Sequence, residues 1–413
     1  MGAMSARIVV TGMGAVTPYG VGLDPLVAGL RERRPAYGAL REPAVATWPV
    51  QVGGWVPELA PDQLGVIHNK LRGMGKYVRI GVLAAQQALT AAGWVPGSYD
   101  PDRAGAFIAT GTNGHNAEGL FPAFAVSAGE DGQLDLARLT TDGLDRIHPW
   151  WLLTAISNNL IFFITHFLQV RGPNTNLCQA AVAGAYALDR AIEALTRDEI
   201  DLALVGGADT PVNWQMMSDL FTLGFLASGP PAEVLPWQPW GGAGRGAILS
   251  DGAAFLVLET EARARARGAS PLAVVEAVAL TATGADDLAP AEDGAAIARV
   301  VGELLAELPG EEPLAICGAG VGLARWDAAE RRGLAQALGS RAHRLYGAKT
   351  WLGHAFSASF PLEMVVAILD LQQGLGLTHP EADESRKADL VHRVLVLGQC
   401  FGENTAGVRL LVG

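Results

Sequence analysis

Short apolar runs alternate with longer helical segments along the chain, and this alternation limits the fold more than any other feature. Arg7–Gly12, Ala104–Thr110 and Asp201–Gly206 are short and apolar, as buried strands are. Val78–Ala92 is rich in alanine, and Val182–Leu195 has apolar residues at positions 182, 185, 188, 192 and 195, the spacing of one buried helix face. The alternation predicts an α/β fold with largely parallel, buried sheets.

The alternation starts again after residue 271 in a shorter form. It consists of the strand-like runs 314–318, 394–398 and 408–412 and the helix-like runs 327–338 and 364–372. A chain of 413 residues is too long for one ordinary core. The sequence therefore predicts two similar halves, residues 1–260 and 261–413, fused into one unit.

Composition and charge exclude several classes of protein. Half of the residues are hydrophobic and 17% are charged, which is typical of a folded chain with a large core. The net charge of −12 repels phosphates, so we expect no nucleic-acid partner. The cysteines Cys178, Cys317 and Cys400 are far apart and odd in number, which favours a reducing, cytoplasmic location. We expect no signal peptide and no metal site.

One stretch without charge, residues 149–170, is long enough to cross a bilayer. However, Ser157, Asn158 and Asn159 lie together at its centre, and such polar side chains are costly in lipid. We therefore expect a buried helix in a large core, at a subunit contact, and no membrane association.

Six segments resemble motifs of the β-ketoacyl synthases of the thiolase superfamily. They are RIVVTGMGAVTPYG (7–20), GPNTNLCQAAVAG (172–184), DLALVGGAD (201–209), RGAILSDGAAFLVLE (245–259), KTWLGHAFSAS (349–359) and CFGENTA (400–406). They follow the family's order along nearly the whole chain. The resemblance implies an α/β, thiolase-like αβαβα five-layer fold made of two similar halves, usually dimeric.

The resemblance also implies where the nucleophile would stand. In the family, a cysteine at a helix N-terminus takes the acyl group from an acyl carrier protein, and the helix end favours its thiolate. That cysteine lies nine positions after the glycine of the Gly-Pro pair and 25 before the next Gly-Gly pair. Both counts, from Gly172 and from Gly206, lead to Ala181. Cys178 is three residues out of register, so we expect it to be a small buried residue on the approaching strand.

Of the two positions that hold catalytic histidines in the family, this sequence keeps a histidine at one. AGVGLARWDAAE at 319–330 places Ala319 in the first histidine position and keeps the acidic position at Glu330. His354 keeps the second histidine position, and Lys349 stands five residues before it. We expect Lys349 and Glu330 to form a structural ion pair, and His354 to be a hydrogen-bonded core histidine. Because alanine can neither attack a thioester nor transfer a proton, no residue is assigned a catalytic role.

Four large rings lie within or next to these motifs: Trp326, Trp351, Phe356 and Phe360. We expect them to fill or reshape the space where a substrate would sit. By analogy with the family, Thr112 and Asn113 are expected to line a tunnel, and Phe401 to lie near the former active site.

A synthase-like chain that lacks the cysteine resembles the chain length factor, or ketosynthase-β subunit, of type II polyketide synthases. The resemblance implies a degenerate subunit that forms a heterodimer with a catalytic ketosynthase, shapes the polyketide tunnel and limits chain length. It implies no cofactor of its own. Acyl groups would arrive on the phosphopantetheine of an acyl carrier protein that docks mainly on the partner. Many chain length factors carry glutamine in the cysteine position, whereas Gln179 lies two residues before Ala181.

Two other functions stay open. The chain could be a divergent acyl-transferring or decarboxylating enzyme that uses Cys178 or His354. It could also be a stand-alone acyl-binding or scaffolding protein that forms a homodimer rather than a heterodimer.

Overall fold

Strands and helices alternate through the computed structural model, which describes residues 6–40, 48–59, 63, 71, 73–111, 117–241, 244–284, 288–308, 312–379 and 391–413. Its strands are β1 (Ile8–Thr17), β2 (Gly20–Val21), β3 (Gly38–Ala39), β4 (Val52–Gly53), β5 (Ala104–Thr110), β6 (Asn174–Leu177), β7 (Leu202–Asp209), β8 (Gly252–Thr260), β9 (Ala273–Ala282), β10 (Leu314–Cys317), β11 (His343–Tyr346), β12 (Arg393–Cys400) and β13 (Asn404–Leu411). Its α-helices are α1 (Leu23–Arg31), α2 (Lys76–Ala91), α3 (Phe121–Ser127), α4 (Leu136–Arg138), α5 (Trp151–Ala155), α6 (Asn159–Leu168), α7 (Ala183–Thr196), α8 (Trp214–Thr222), α9 (Pro231–Val234), α10 (Glu261–Ala266), α11 (Ala295–Leu305), α12 (Ala324–Leu338), α13 (Lys349–Leu352) and α14 (Ser359–Gln372).

Eleven of the described strands form one mixed sheet. Their order is β11-β10-β12-β13-β9-β1-β8-β7-β5-β6, with β2 paired to β1. Towards the ends of the sheet, β5 pairs in parallel with β6 and β7, and β10 pairs in parallel with β11 and β12. The central pairs are antiparallel, including β1 with β8 and with β9. The prediction of largely parallel sheets is therefore wrong for the centre, because an apolar run indicates burial but not strand direction.

Helices lie on both faces of the sheet and between its two parts, β1-β8-β7-β5-β6 and β9-β13-β12-β10-β11. α2 and α6 pack on one side of β1, β5, β7 and β8, and α11 and α12 pack on the side of β9 and β13. α7 and α14 lie between the two parts, where one core cluster joins Leu188 of α7, Leu256 of β8 and Val396 of β12. When the two parts of this one sheet are counted as separate layers, the order is helix, sheet, helix, sheet, helix, as the resemblance implies.

Two glycines in β1 allow helix α2 to approach the sheet closely. A Cβ added to Gly12 would lie 2.2 Å from the carbonyl oxygen of Ala88, and one added to Gly14 would lie 2.2 Å from that of Ala84. Any side chain at either position would collide with the helix backbone. The two glycines therefore serve close helix–strand packing.

The uncharged stretch 149–170 forms two helices, α5 and α6, rather than one. Residues 156–158 separate them, and Asn159, the first residue of α6, fixes the break because its side-chain amide donates to the carbonyl oxygens of Gly73 at 2.7 Å and Leu153 at 2.5 Å. Leu152 and Phe162 are 61% and 58% exposed. The prediction of a single buried helix is therefore wrong. Across the described ranges, no helix is both long and apolar enough to span a bilayer.

Candidate functional site

Ala181 lies in a tight turn between a strand and a helix. After β6 the chain runs through Cys178 and Gln179 into a 3-10 turn, Ala180–Val182, which leads directly into α7. Ala180 has a φ of +43°, a left-handed conformation that costs about 1–3 kcal/mol for a residue with a Cβ. Ala181 is 3% exposed. The turn thus places residue 181 at a helix start, where the dipole favours negative charge, yet the side chain there is a methyl group.

Cys178 lies outside this turn and is exposed, so the expectation that it is a buried strand residue is wrong. The strand ends at Leu177, one residue before it. Its sulfur is 3.5 Å from the hydroxyl oxygen of Ser157 and 3.7 Å from that of Thr110. Gln179 also turns away from residue 181, because its side-chain amide donates to Asn404 Oδ1 at 2.9 Å.

Ala319 lies on a loop after β10, and Glu330 of α12 holds this loop. The backbone N–H groups of Ala319 and Gly320 donate to the Glu330 carboxylate at 2.6 and 3.0 Å. The indole N–H of Trp240 donates to the same carboxylate at 3.0 Å. Burial raises the pKa of Glu330 to about 7. Ala319 itself is fully buried. Its side chain is a methyl group, which cannot transfer a proton.

Asp327, three residues before Glu330 on α12, holds a second segment. Its carboxylate accepts the backbone N–H of Trp240 at 2.7 Å and that of Gly322 at 3.0 Å. The two acidic residues of α12 therefore fix the loop from residue 319 to residue 322 and join it to the segment at Trp240.

The predicted ion pair between Lys349 and Glu330 is not formed. Lys349 instead contacts the carboxylate of Glu363 on α14, and its ammonium group donates to the carbonyl oxygen of Ala319 at 2.7 Å. Glu330 is already occupied by backbone and indole donors. Burial raises the pKa of Glu363 to about 7, and Lys349 acts against this shift. Glu363 was missed in the sequence, although a carboxylate inside an apolar helix indicates a buried partner.

His354 is 2% exposed and follows the short helix α13. Its Nδ1 accepts the backbone N–H of Phe356 at 3.2 Å, which assigns the proton of the neutral ring to Nε2. Burial, and then the charge of Lys349, hold the pKa of His354 well below its usual range. The ring is therefore neutral near pH 7.

Aromatic rings fill the space next to His354. Phe225 contacts His354 edge-on with ring centroids 5.7 Å apart, and Phe356 lies 4.7 Å from the same ring. Phe401 lies 5.1 Å from Phe225 and 5.9 Å from Trp326. We call Phe225, Trp326, Phe356 and Phe401 the aromatic plug. Met216, Met217 and Leu220 of α8 pack into the same cluster.

The aromatic plug agrees only in part with the rings chosen from the sequence. Phe360 and Trp351 lie in the central core cluster instead, together with α7 and β12. Phe225 was missed, because it lies outside the segments that resemble the family motifs. Thr112 and Asn113 lie outside the described residues. No group of three or more potential metal ligands occurs in the described ranges.

Two family domains cover most of the chain. The β-ketoacyl synthase N-terminal domain matches residues 5–264, and the β-ketoacyl synthase C-terminal domain matches residues 272–381. Nodulation protein E of Rhizobium meliloti is 27% identical over 375 residues, which cover 90% of this chain and 88% of that protein. A putative polyketide beta-ketoacyl synthase 2 of Streptomyces coelicolor is 28% identical over 386 residues, which cover 91% of this chain and 85% of that protein.

Solved structures share the fold. The ishigamide ketosynthase/chain length factor has a TM-score of 0.82 at 24% identity, covering 99% of this chain and 100% of that chain. AntDE:AntF, a type II PKS acyl-carrier protein in complex with its ketosynthase, has a TM-score of 0.82 at 20% identity, with the same coverage. These likenesses confirm the predicted thiolase-like α/β fold. The chain belongs to the β-ketoacyl synthase family.

Proposed function

We propose that this chain is a non-catalytic subunit that pairs with an active ketosynthase, shapes the tunnel for the growing acyl or polyketide chain, and limits its length. The observation that carries the proposal is the aromatic plug. It fills the space beside His354 with side chains in mutual contact, and Ala180, next to the nucleophile position, packs against the same cluster.

The chemistry of the two empty positions supports the proposal. Ala181 provides no nucleophile for a thioester, and Ala319 provides no proton acceptor. In a serine protease, loss of the nucleophile or the base alone reduces kcat by a factor on the order of 10⁶. The neutral ring of His354 does not replace either group, because it is enclosed by Phe225 and Phe356.

A surface for the partner lies beside strand β6. β6 is the last strand in the order of the sheet, so its outer edge is unpaired among the described strands. In the uncharged stretch 149–170, Trp150, Leu152 and Phe162 are 44%, 61% and 58% exposed. We call these three residues the apolar face. A groove lined by Phe162 and Asn174 connects this face to β6.

An unpaired strand edge next to exposed apolar side chains is typical of a surface that another protein covers. A second chain of the same fold would pair with the strand edge and bury the apolar side chains. The stretch 149–170 contains no charged residue, which favours close contact with an apolar partner surface. Two structural relatives, a ketosynthase/chain length factor and a type II PKS acyl-carrier protein in complex with its ketosynthase, support such a partner and a carrier-bound acyl substrate.

The test is reconstitution with an active type II ketosynthase. The purified chain alone, incubated with acyl- and malonyl-loaded carrier protein, is expected to keep its intact mass and to release no carbon dioxide. The pair is expected to co-purify as a heterodimer and to make products of defined length, measured by mass spectrometry. Replacing this chain by a related subunit is expected to change that length.

A double variant of the apolar face, Leu152→Asp/Phe162→Asp, is expected to abolish co-purification. Val95→Asp is the matched control, because Val95 is 51% exposed and lies outside this face. Condensation of malonyl units by the chain alone would refute the proposal. An acyl mass on Cys178 would favour the divergent enzyme, and a stable homodimer that ignores the ketosynthase would favour the stand-alone scaffold.

A further inference from the structure

His166 is the only titratable side chain in the stretch 149–170, which supplies the apolar face. It lies in the last turn of α6 and is exposed. Its ring stacks on that of Phe162, with ring centroids 6.0 Å apart and 8° between the two planes. Because Phe162 belongs to the apolar face, a side chain that can gain a proton near neutral pH lies directly beside the proposed contact with the partner.

Two grooves meet at Phe162 and His166, which line both of them. The first has a volume of about 520 Å³ and runs along α6 to Asn174 of β6. The second has a volume of about 550 Å³ and is lined by Trp150 of the apolar face and by Phe163. We call Phe162 and His166 the ridge. A partner that fills either groove contacts the ridge and removes water from the imidazole ring.

The first groove already contains a positive charge. Arg171 lines it beside His166, and the Arg171 guanidinium group lies 3.1 Å from the carboxylate of Asp102. Strands β5 and β6 and helix α5 hold no titratable side chain within their ranges, and the thiol of Cys178 follows β6. A proton on His166 would therefore place a second positive charge in this groove, whereas the carboxylate of Asp102 is already paired.

Helix α2 packs against α6, and its charged groups are paired elsewhere. Lys76 is paired with Asp251 at 2.6 Å and Arg79 with Glu58 at 2.9 Å. Burial holds the pKa of Tyr77 well above its ordinary value, so this phenol stays neutral. These described residues of α2 thus provide no anion to balance a proton on the ridge.

His148 is a second histidine near the apolar face. It is exposed, and its Nδ1 accepts the backbone N–H of Trp150 at 3.2 Å. It is not among the residues that line the two grooves. A partner that fills the grooves therefore removes less water from His148 than from His166.

We propose that His166 makes pairing with the ketosynthase depend on pH, because the partner covers the neutral ring but not the protonated ring, which is costly to remove from water. The inference rests on the proposed function and deepens it, since it names how that contact is regulated. Binding is strongest above the pH range in which histidine titrates, and it weakens as the pH falls through that range.

The size of the effect follows from the fraction of neutral rings. For a side chain with the ordinary histidine pKa of about 6.5, binding of the neutral form alone weakens the affinity about tenfold between pH 7.5 and pH 5.5. An apolar partner surface, which the uncharged stretch favours, offers no counter-ion that would offset this loss.

The test measures the dissociation constant of the chain and an active type II ketosynthase by titration calorimetry at pH 7.5 and 5.5, at one ionic strength. H166F and H166Q remove the titrating group, and H166R is charged at both pH values. H148F removes the other histidine near the apolar face. H392F is the matched control, because His392 is also exposed but lies directly before β12 in the other half of the chain.

The quantity compared is the pH quotient, the dissociation constant at pH 5.5 divided by that at pH 7.5. Titration of the ketosynthase itself contributes equally to every variant. The quotient of the unsubstituted chain is therefore expected to be about tenfold larger than those of H166F and H166Q. H166R is expected to bind about tenfold or more weakly than H166F at both pH values. H148F and H392F are expected to keep the quotient of the unsubstituted chain.

Quotients of H166F and H166Q within about twofold of that of the unsubstituted chain overturn the inference. Loss of the pH dependence in H148F but not in H166F also overturns it, as does binding by H166R as tight as that by H166F. Circular dichroism at both pH values verifies that each variant is folded. If the unsubstituted chain does not pair at pH 7.5, the proposed function fails and this inference with it. If it pairs without any effect of residue 166, the inference alone fails.

Discussion

Removing Lys349 alone should measurably destabilise the protein. Lys349 is 2% exposed and its partner Glu363 is 1% exposed. Lys349→Met keeps much of the side-chain volume, but it leaves a buried carboxyl group without its cation and the carbonyl oxygen of Ala319 without its donor. Breaking a buried ion pair from one side costs about 3–5 kcal/mol.

The expected change in melting temperature follows from the size of the chain. An unfolding entropy of about 2.1 cal/mol/K per residue gives roughly 0.9 kcal/mol/K for 413 residues. Lys349→Met should therefore lower the melting temperature by about 3–6 °C, measured by scanning calorimetry. Lys349→Met/Glu363→Met should recover to within about 2 °C of the unsubstituted chain, because an apolar pair can replace a buried ion pair at little cost.

Arg299→Met is the matched control for this experiment. Arg299 and Glu303 form an ion pair on α11, with side chains 67% and 50% exposed. Exposed pairs contribute little, so a shift below about 1 °C is expected. The reasoning is refuted if the double variant is destabilised by as much as Lys349→Met or more, since the loss would then not come from the unpaired carboxyl group.

Three further changes follow from other parts of the structure. Burial raises the pKa of Glu330 from 4.5 to about 7 in the folded state, so the stability contributed by the protonated Glu330 side chain is complete below about pH 4.5 and is lost as the pH rises towards 7. The melting temperature should therefore fall between pH 5 and 8, and it should fall less steeply in Glu330→Gln. Phe225→Ala should lower the free energy of unfolding by about 3–5 kcal/mol in denaturant titrations, because it removes the ring at the centre of the plug. The control Leu288→Ala, at a 48% exposed position, should change the free energy of unfolding by less than about 0.5 kcal/mol. Equal effects of the two substitutions would contradict a packed plug. Gly14→Ala should prevent soluble expression, because its Cβ would lie 2.2 Å from a backbone oxygen, whereas Gly302→Ala, where nothing lies within 4 Å of the added Cβ, should stabilise helix α11 by about 0.5–1 kcal/mol.

The order of the motifs along the chain was enough to predict the fold and the position of residue 181. Two independent spacings, from Gly172 and from Gly206, lead to Ala181, and the structure places it in a turn at the start of a helix. Burial patterns also located the strand Ala104–Thr110 without error. These features are local, so the sequence contains what is needed to infer them.

Contacts between distant segments could not be predicted in the same way. Both Glu330 and Glu363 are buried acidic residues that could pair with Lys349. The packing of α14 decides that Lys349 contacts Glu363. Phe225 joins the plug from a loop that contains none of the family motifs. Such pairings depend on how the layers stack, which residue spacing along the chain does not encode.

The hydrogen bonds of Asp327 and Glu330 bear on how genomes are interpreted. Both carboxylates hold loop backbone, so they are needed for folding whether or not the chain catalyses a reaction. A search that scores the acidic motif and the Gly-His pair therefore detects what the fold requires and not what catalysis requires. Under the proposed function, the positions that distinguish a subunit of this kind from a synthase are those whose side chains hold nothing else in place, here residues 181 and 319.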